Sequence, residues 1–221
     1  MTPYPVSPEQ EALLERQRIR ELIENWALWR DAGDWARFAS VWHDDGMMMA
    51  TWFQGPAAEF IRVSQEGWAK GVSILHFLGG SSVDVNGQRA VAQTKMTISQ
   101  RGDVHGVACD VVCTGRLFDF LEKRDGRWGL VLRQPIYEKD RIDPIDPAAT
   151  LALDAKRLAT FPKGYRHLAY IQTLLGYKVK LDMPQLMGAE VDALAARGKA
   201  WLAGDAVSEG ACVALHGPEL S

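Results

Sequence analysis

From Ser81 to Lys139 the chain alternates apolar and polar residues and is cut at intervals by turn dipeptides. Ser81-Ser82-Val83-Asp84-Val85 runs into Asn86-Gly87, the strongest short-range hairpin signal. Ala90 to Arg101 then reads as a long strand, Gly102-Asp103 as a turn, Val104 to Arg124 as a second long strand and Asp125-Gly126 as a third turn. Arg127 to Lys139 closes the series. Such long strands joined by tight turns can only pair antiparallel. The meander they form has one face free to bury against helices.

Those helices precede the meander. Ser7-Pro8-Glu9-Gln10 places a serine cap, a proline at the first helical position and a glutamine three residues after the cap. Leu13, Leu14, Leu22, Ile23, Trp26 and Ala27 supply an apolar stripe, and Gly33 offers a left-handed stop after Asp31-Ala32. Asp34 starts a short second helix through Trp35 and Trp42. Gly46 to Phe53 reads as a strand and residues 56 to 71 as a helix. Beyond Asp143-Pro144-Ile145-Asp146-Pro147, helical periodicity returns over Ala148–Thr160, Tyr165–Tyr177 and Gly188–Gly204. The expectation is therefore an α+β domain over residues 1–147. A helical C-terminal extension over 148–204 would pack on the core or on a neighbouring subunit, with a flexible tail over 205–221.

The 221 residues are 47% hydrophobic and 24% charged, enough apolar material for a buried core. Twenty-five basic against 28 acidic residues leave a formal charge of -3, and no run of adjacent Lys or Arg exceeds a pair, which argues against nucleic acid as a partner. The uncharged stretches, Gly46–Ala58 and Gly71–Val83, fall short of the ~20 residues that span a membrane. Met1 to Val6 has neither a basic nor an apolar leader region, so a cytoplasmic location is expected. Cys109, Cys113 and Cys212 form no Cys-x-x-Cys motif. The first two share one strand face at ~13 Å, too far for a disulfide, and read as small apolar fillers.

No Gly-x-Gly-x-x-Gly, no phosphate-binding loop and no paired-histidine metal spacing is present, so neither cofactor nor metal is expected. The residues left for chemistry are acid–base groups. His76 stands in the apolar run Ile74-Leu75-His76-Phe77-Leu78, where a histidine is either a core residue or a base. Asp31 closes the first helix, where a carboxylate opposes the helix dipole and needs a compensating partner. Arg133, among Val131-Leu132-Arg133-Gln134-Pro135, is either a solvent-facing strand residue or a buried charge with a partner. His105 is a general acid or a surface residue beside a turn, and Tyr137 shares the parity of Arg133. Eight tryptophans and seven methionines, many in the N-terminal third, supply core and pocket wall. Trp26, Trp42, Met49, Phe53, Cys113 and Tyr137 are the expected substrate contacts.

The order of a capped helix, Trp29-Arg30-Asp31-Ala32-Gly33-Asp34-Trp35, Trp42-His43-Asp44-Asp45-Gly46 and Leu75-His76-Phe77-Leu78-Gly79 before a meander resembles the SnoaL-like branch of the NTF2-like superfamily. The likeness covers roughly residues 8 to 140. Within that branch it resembles the group holding scytalone dehydratase, hexachlorocyclohexane dehydrochlorinase and bile-acid 7α-dehydratase, which use an Asp–His pair in the same chain order. The resemblance implies a curved sheet wrapped round helices into a cone with an apolar cavity. It implies Asp31 orienting His76 as base, Arg133 assisting a leaving group, a second histidine (His105) on the middle strand, and assembly into dimers or trimers. Two positions depart from the group: Arg30 stands where scytalone dehydratase has a tyrosine, and Trp26 where the dehydrochlorinase has a lysine.

The function expected is a cofactor-independent lyase that eliminates water or formaldehyde from a small aromatic or apolar hydroxylated substrate. Deformylation of a lignin-derived diarylpropane to a stilbene is the leading case. A polyketide-type cyclase or isomerase and a non-catalytic ligand-binding protein are the alternatives.

Overall fold

A computed structural model of the protein describes residues 7–207. Cys212 and most of the tail read from Asp205 onward lie outside these residues. Helix α1 (Pro8–Asp31) carries the expected capping box: the Ser7 hydroxyl accepts from the Gln10 backbone, and the Gln10 side chain accepts from the Ser7 backbone. It ends as its composition dictates, with Gly33 at φ +71°. Helix α2 (Trp35–Ser40), capped by Asp34, leads into strand β1 (Trp42–Met49); β2 (Gln54–Pro56) and helix α3 (Ala57–Ala69) follow. The long strands are β3 (Ser73–Asn86), β4 (Arg89–Val104), β5 (Val107–Arg124) and β6 (Arg127–Pro144), and helices α4 (Ala155–Ala159), α5 (Arg166–Leu174) and α6 (Ala189–Ala203) complete the order.

The six strands form one open, mixed sheet in the order β2-β1-β6-β5-β4-β3. Among the six described strands only β1 and β6 pair in parallel. The meander is as read, with three differences of extent, one being that β6 runs on to Pro144, past the expected end at Lys139. Strand β3 begins at Ser73, eight residues before the alternation noted at Ser81, and the β4–β5 turn falls at His105-Gly106 rather than Gly102-Asp103. There φ is +55° at His105 and +82° at Gly106, so the glycine that takes the left-handed position is the second of the two available. The first strand also starts earlier than Gly46, because Trp42 already pairs with Leu130. Of the C-terminal helices, α6 matches its reading within a residue at each end, whereas α4 shrinks to one short turn.

The inner face of the sheet packs on α1, α2, α3 and α5 through Ile19, Ile23, Trp26, Phe38, Phe60, Leu117, Leu130, Tyr137 and Leu168. The outer face carries a second, smaller core in which Phe118, Phe120, Leu132 and Ile136 meet Leu194 and Trp201 of α6. Cys109 and Cys113 are both buried and unpaired, as small core fillers.

Candidate active site

From Ser73 to Leu78 of β3 the burial alternates: Ile74, His76 and Leu78 turn inward, while Leu75 and Phe77 are exposed. That phase delivers His76 to the last residue of α1. The His76 ring Nδ1 lies 2.9 Å from Asp31 Oδ1, and its backbone N–H donates to Asp31 Oδ2 at 2.5 Å. One histidine thus holds both oxygens of the carboxylate, which supplies the compensation that an acid at a helix C-terminus requires. Arg30 joins from the other side, its Nη1 donating to Asp31 Oδ1 at 3.3 Å and to the Ile74 carbonyl at 3.2 Å.

Electrostatics fix the protonation states. Burial alone would raise the Asp31 carboxyl, yet the ring and backbone N–H of His76 and the charge of Arg30 hold it below its ordinary value. Burial pushes the His76 imidazole down, with Arg30 and Arg133 acting the same way against Asp31. The pair therefore rests as carboxylate and neutral imidazole, Nδ1–H donating to Asp31, which leaves Nε2 as the basic nitrogen. Nε2 makes no hydrogen bond among the described residues.

His76 lines an inner chamber of about 40 Å³ with Trp26, Arg30, Met48, Trp52, Phe60, Ile98, Leu117, Pro135, Tyr137, Leu168 and Gln172. Trp26 presents its indole to the imidazole edge-on, ring centres 5.2 Å apart. An outer chamber of about 20 Å³, walled by Val63, Ser64, Gly67, Trp68 and Tyr177, adjoins it. Arg30, Trp52, Ile74, Gln100 and Gln172 line both and so mark the constriction between them. Thr51 Oγ1 donates to Gln172 Oε1 at 2.7 Å, fixing the amide in that constriction.

The structure redistributes the residues expected from sequence. His76, Trp26 and Tyr137 line the inner chamber, and Asp31 stands behind His76 off the wall. Burial raises the Tyr137 phenol well above its usual range, so it remains protonated and able to donate. Arg133 is neither solvent-facing nor a chamber wall. It is completely buried, bidentate to Asp119 at 2.7 and 2.8 Å, with its guanidinium carbon 4.2 Å from the centre of the Trp26 ring. His105 sits exposed in the β4–β5 turn, bonded to the Tyr170 hydroxyl at 2.7 Å, because the turn falls on it and takes it out of the strand. Met49 faces the outer core, and its neighbour Met48 takes the chamber position by strand alternation. Trp42 and Phe53 are core residues off the chamber wall, and Cys113 sits under the loop at Gly164, its thiol 3.7 Å from that carbonyl. Sequence reasoning missed Gln100, Leu168 and Gln172. Gln100 shares the parity of Ile98, which pairs with His76 across the β3–β4 ladder, so register would have found it. The two α5 residues had no such signal.

Among the described residues no group of His, Cys, Asp and Glu is arranged to hold a metal ion, and no helix is long and apolar enough to cross a membrane. Residues 11–134 match the SnoaL-like domain. A PEP2-like protein of the fungus Fusarium vanettenii is 40% identical over 206 residues, 88% of each chain. Pea pathogenicity protein 2 of the same fungus is 43% identical over 176 residues, 77% of this chain and 75% of that one. Among solved structures, a type 2 hexachlorocyclohexane dehydrochlorinase (LinA) superposes with a TM-score of 0.53 at 14% identity, covering 66% of this chain and 99% of its own. The domain match, over residues 11–134 of 221, shows the family: the chain belongs to the SnoaL-like family.

Proposed function

We propose that the protein is a cofactor-independent lyase in which His76, oriented by Asp31, removes a proton from a small apolar, hydroxylated substrate. The observation that carries this reading is the Asp31–His76 pair itself, with Nε2 unbonded at the wall of an apolar chamber. A neutral imidazole held in one tautomer by a buried carboxylate is a competent general base near neutral pH. In a dehydration, Nε2 takes the carbon-bound proton, the C–H electrons form the double bond and the C–O bond breaks. The imidazolium returns its proton to the departing hydroxyl, so the protein ends in its starting state. Tyr137, too weak an acid to give up its proton, supports the leaving oxygen as a hydrogen-bond donor. That the LinA structure belongs to a dehydrochlorinase, another proton-abstracting elimination, supports the choice of reaction type.

The expulsion of formaldehyde from a diarylpropane diol uses the same proton traffic. Nε2 takes the primary O–H proton, formaldehyde leaves as the C–C bond breaks, and the benzylic hydroxyl departs with the imidazolium proton. Two aromatic rings exceed a chamber of about 40 Å³, so this route additionally requires the two chambers to merge at Gln100 and Gln172.

The test is a mass-resolved incubation of wild type and His76→Gln with hydroxylated aromatics, diarylpropane diols included. The expected result is loss of water or of formaldehyde that disappears in the variant. A product of unchanged mass would identify an isomerase or cyclase, and turnover indifferent to His76 would overturn the proposal.

A further inference from the structure

Arg30 is 6% exposed, and it uses little of its hydrogen-bonding capacity. A guanidinium carries five N–H donors. Its two hydrogen bonds among the described residues, to Asp31 and to the Ile74 carbonyl, both leave from Nη1. Its Nε is buried without an acceptor, and Nη2 makes no hydrogen bond among the described residues. The Nε–Nη2 edge is the side of arginine that grips two carboxylate oxygens in parallel. Here that edge belongs to a residue lining both chambers at their constriction. Two further donors nearby are unsatisfied: Ser64 Oγ, in the wall of the outer chamber, and Trp26 Nε1, on a residue of the inner one. Buried donors without acceptors are costly and uncommon, and three on residues that line these two chambers mark a place that an acceptor-rich ligand completes. Asp31 does not fill the need, since His76 occupies both of its oxygens and Arg30 reaches it only at 3.3 Å.

We infer that the substrate, apolar around its reacting carbons, carries a carboxylate at its other end, held where the two chambers share their lining by the Nε–Nη2 edge of Arg30 with Ser64 assisting, so that its hydroxylated carbon reaches His76. This rests on the reading of the inner chamber as the reaction site. Arg30 is then a positioning and specificity residue. The group gripped is remote from the bonds that change, and a neutral analogue leaves the buried donors unpaired, a strong basis for discrimination.

Binding tests this apart from turnover. Acetate, crotonate and benzoate, each against its amide, are titrated into wild type, Arg30→Gln, Arg30→Lys, Ser64→Ala and His76→Gln, with circular dichroism confirming the fold of each. The wild type and His76→Gln are expected to bind at least one carboxylate about tenfold more tightly than its amide. Arg30→Gln should bring acid and amide to parity. Arg30→Lys, which keeps the charge and loses the fork, and Ser64→Ala should each lie between. A damaged chamber would weaken acid and amide together, so the ratio isolates the grip. Equal binding of acid and amide by the wild type, a preference that survives Arg30→Gln, or no carboxylate binding at all overturns the inference. A preference that depends on Arg30 without any elimination activity would leave it standing and sink the lyase reading instead.

Discussion

Asp31 does two things for His76 that can be separated. It fixes the tautomer, and it opposes the fall in imidazole pKa that burial causes. Asp31→Asn should therefore lower kcat by about 10²–10⁴-fold. It should also move the acidic limb of the pH–rate profile further down, because the group that favours imidazolium is gone. In the wild type that limb is expected below the ordinary histidine value of 6.5, with kcat/KM falling as pH drops through it and flat above. A limb that rises on Asp31→Asn would contradict the arrangement. Arg133 is predicted to behave differently. Removing one member of a fully buried ion pair strands its partner, so Arg133→Met should cost about 3–5 kcal/mol in denaturant unfolding. Adding Asp119→Leu should restore most of that loss. If Arg133 contacted substrate instead, activity would fall with stability unchanged.

At the level of elements, Glu15 ties the middle of α1 to the sheet. Its carboxylate accepts from Lys123 Nζ of β5 at 2.7 Å and from the Trp128 indole of β6. Burial would raise its pKa, but these donors draw it from 4.5 down to about 2. A depressed carboxyl stabilises the fold above its unfolded value and loses that contribution as pH falls towards the folded one. Glu15→Gln should thus destabilise by about 1–3 kcal/mol at pH 7, and the gap to wild type should close between pH 4.5 and about 2, as read by thermal unfolding. The elements themselves were largely readable. Ser7, Pro8 and Gln10 announced α1, and Asn86-Gly87 and Asp125-Gly126 announced two of the three meander turns. The third turn was misplaced because Gly102-Asp103 and His105-Gly106 both carry turn chemistry, and strand pairing as far as Val104 with Val107 decides between them. The Asp31–His76 contact was legible only through family pattern, since 45 positions separate the two residues and no local rule joins them. Met49 was expected on the wall where Met48 stands because the two differ only by strand phase, which an apolar run conceals.

The sheet separates two tasks across its thickness. Its inner face meets α1, α2, α3 and α5 and holds the chambers; its outer face is covered in part by α6, which touches neither. On that outer side Trp201 packs against Phe120, donates its indole N–H to the Ala90 and Leu121 carbonyls at 3.2 and 3.3 Å, and lies under Arg89. Gly198 allows the close approach, since a Cβ there would stand 2.7 Å from Phe118. Helix α5 faces the other way. Asp140 of β6 caps its start by accepting from the backbone of His167 and Leu168, and so presents Leu168 and Gln172 to the chamber. The two helices should therefore fail differently. Trp201→Ala is expected to cost about 3–5 kcal/mol of stability and to leave kcat and KM of the folded fraction unchanged. Leu168→Ala, which also opens the chamber wall, should cost about 2–5 kcal/mol and shift KM besides. Denaturant unfolding and kinetics on the same preparations distinguish the two. A change in KM on Trp201→Ala would mean that the faces are coupled through the sheet, and that the C-terminal helices act on the site as one unit.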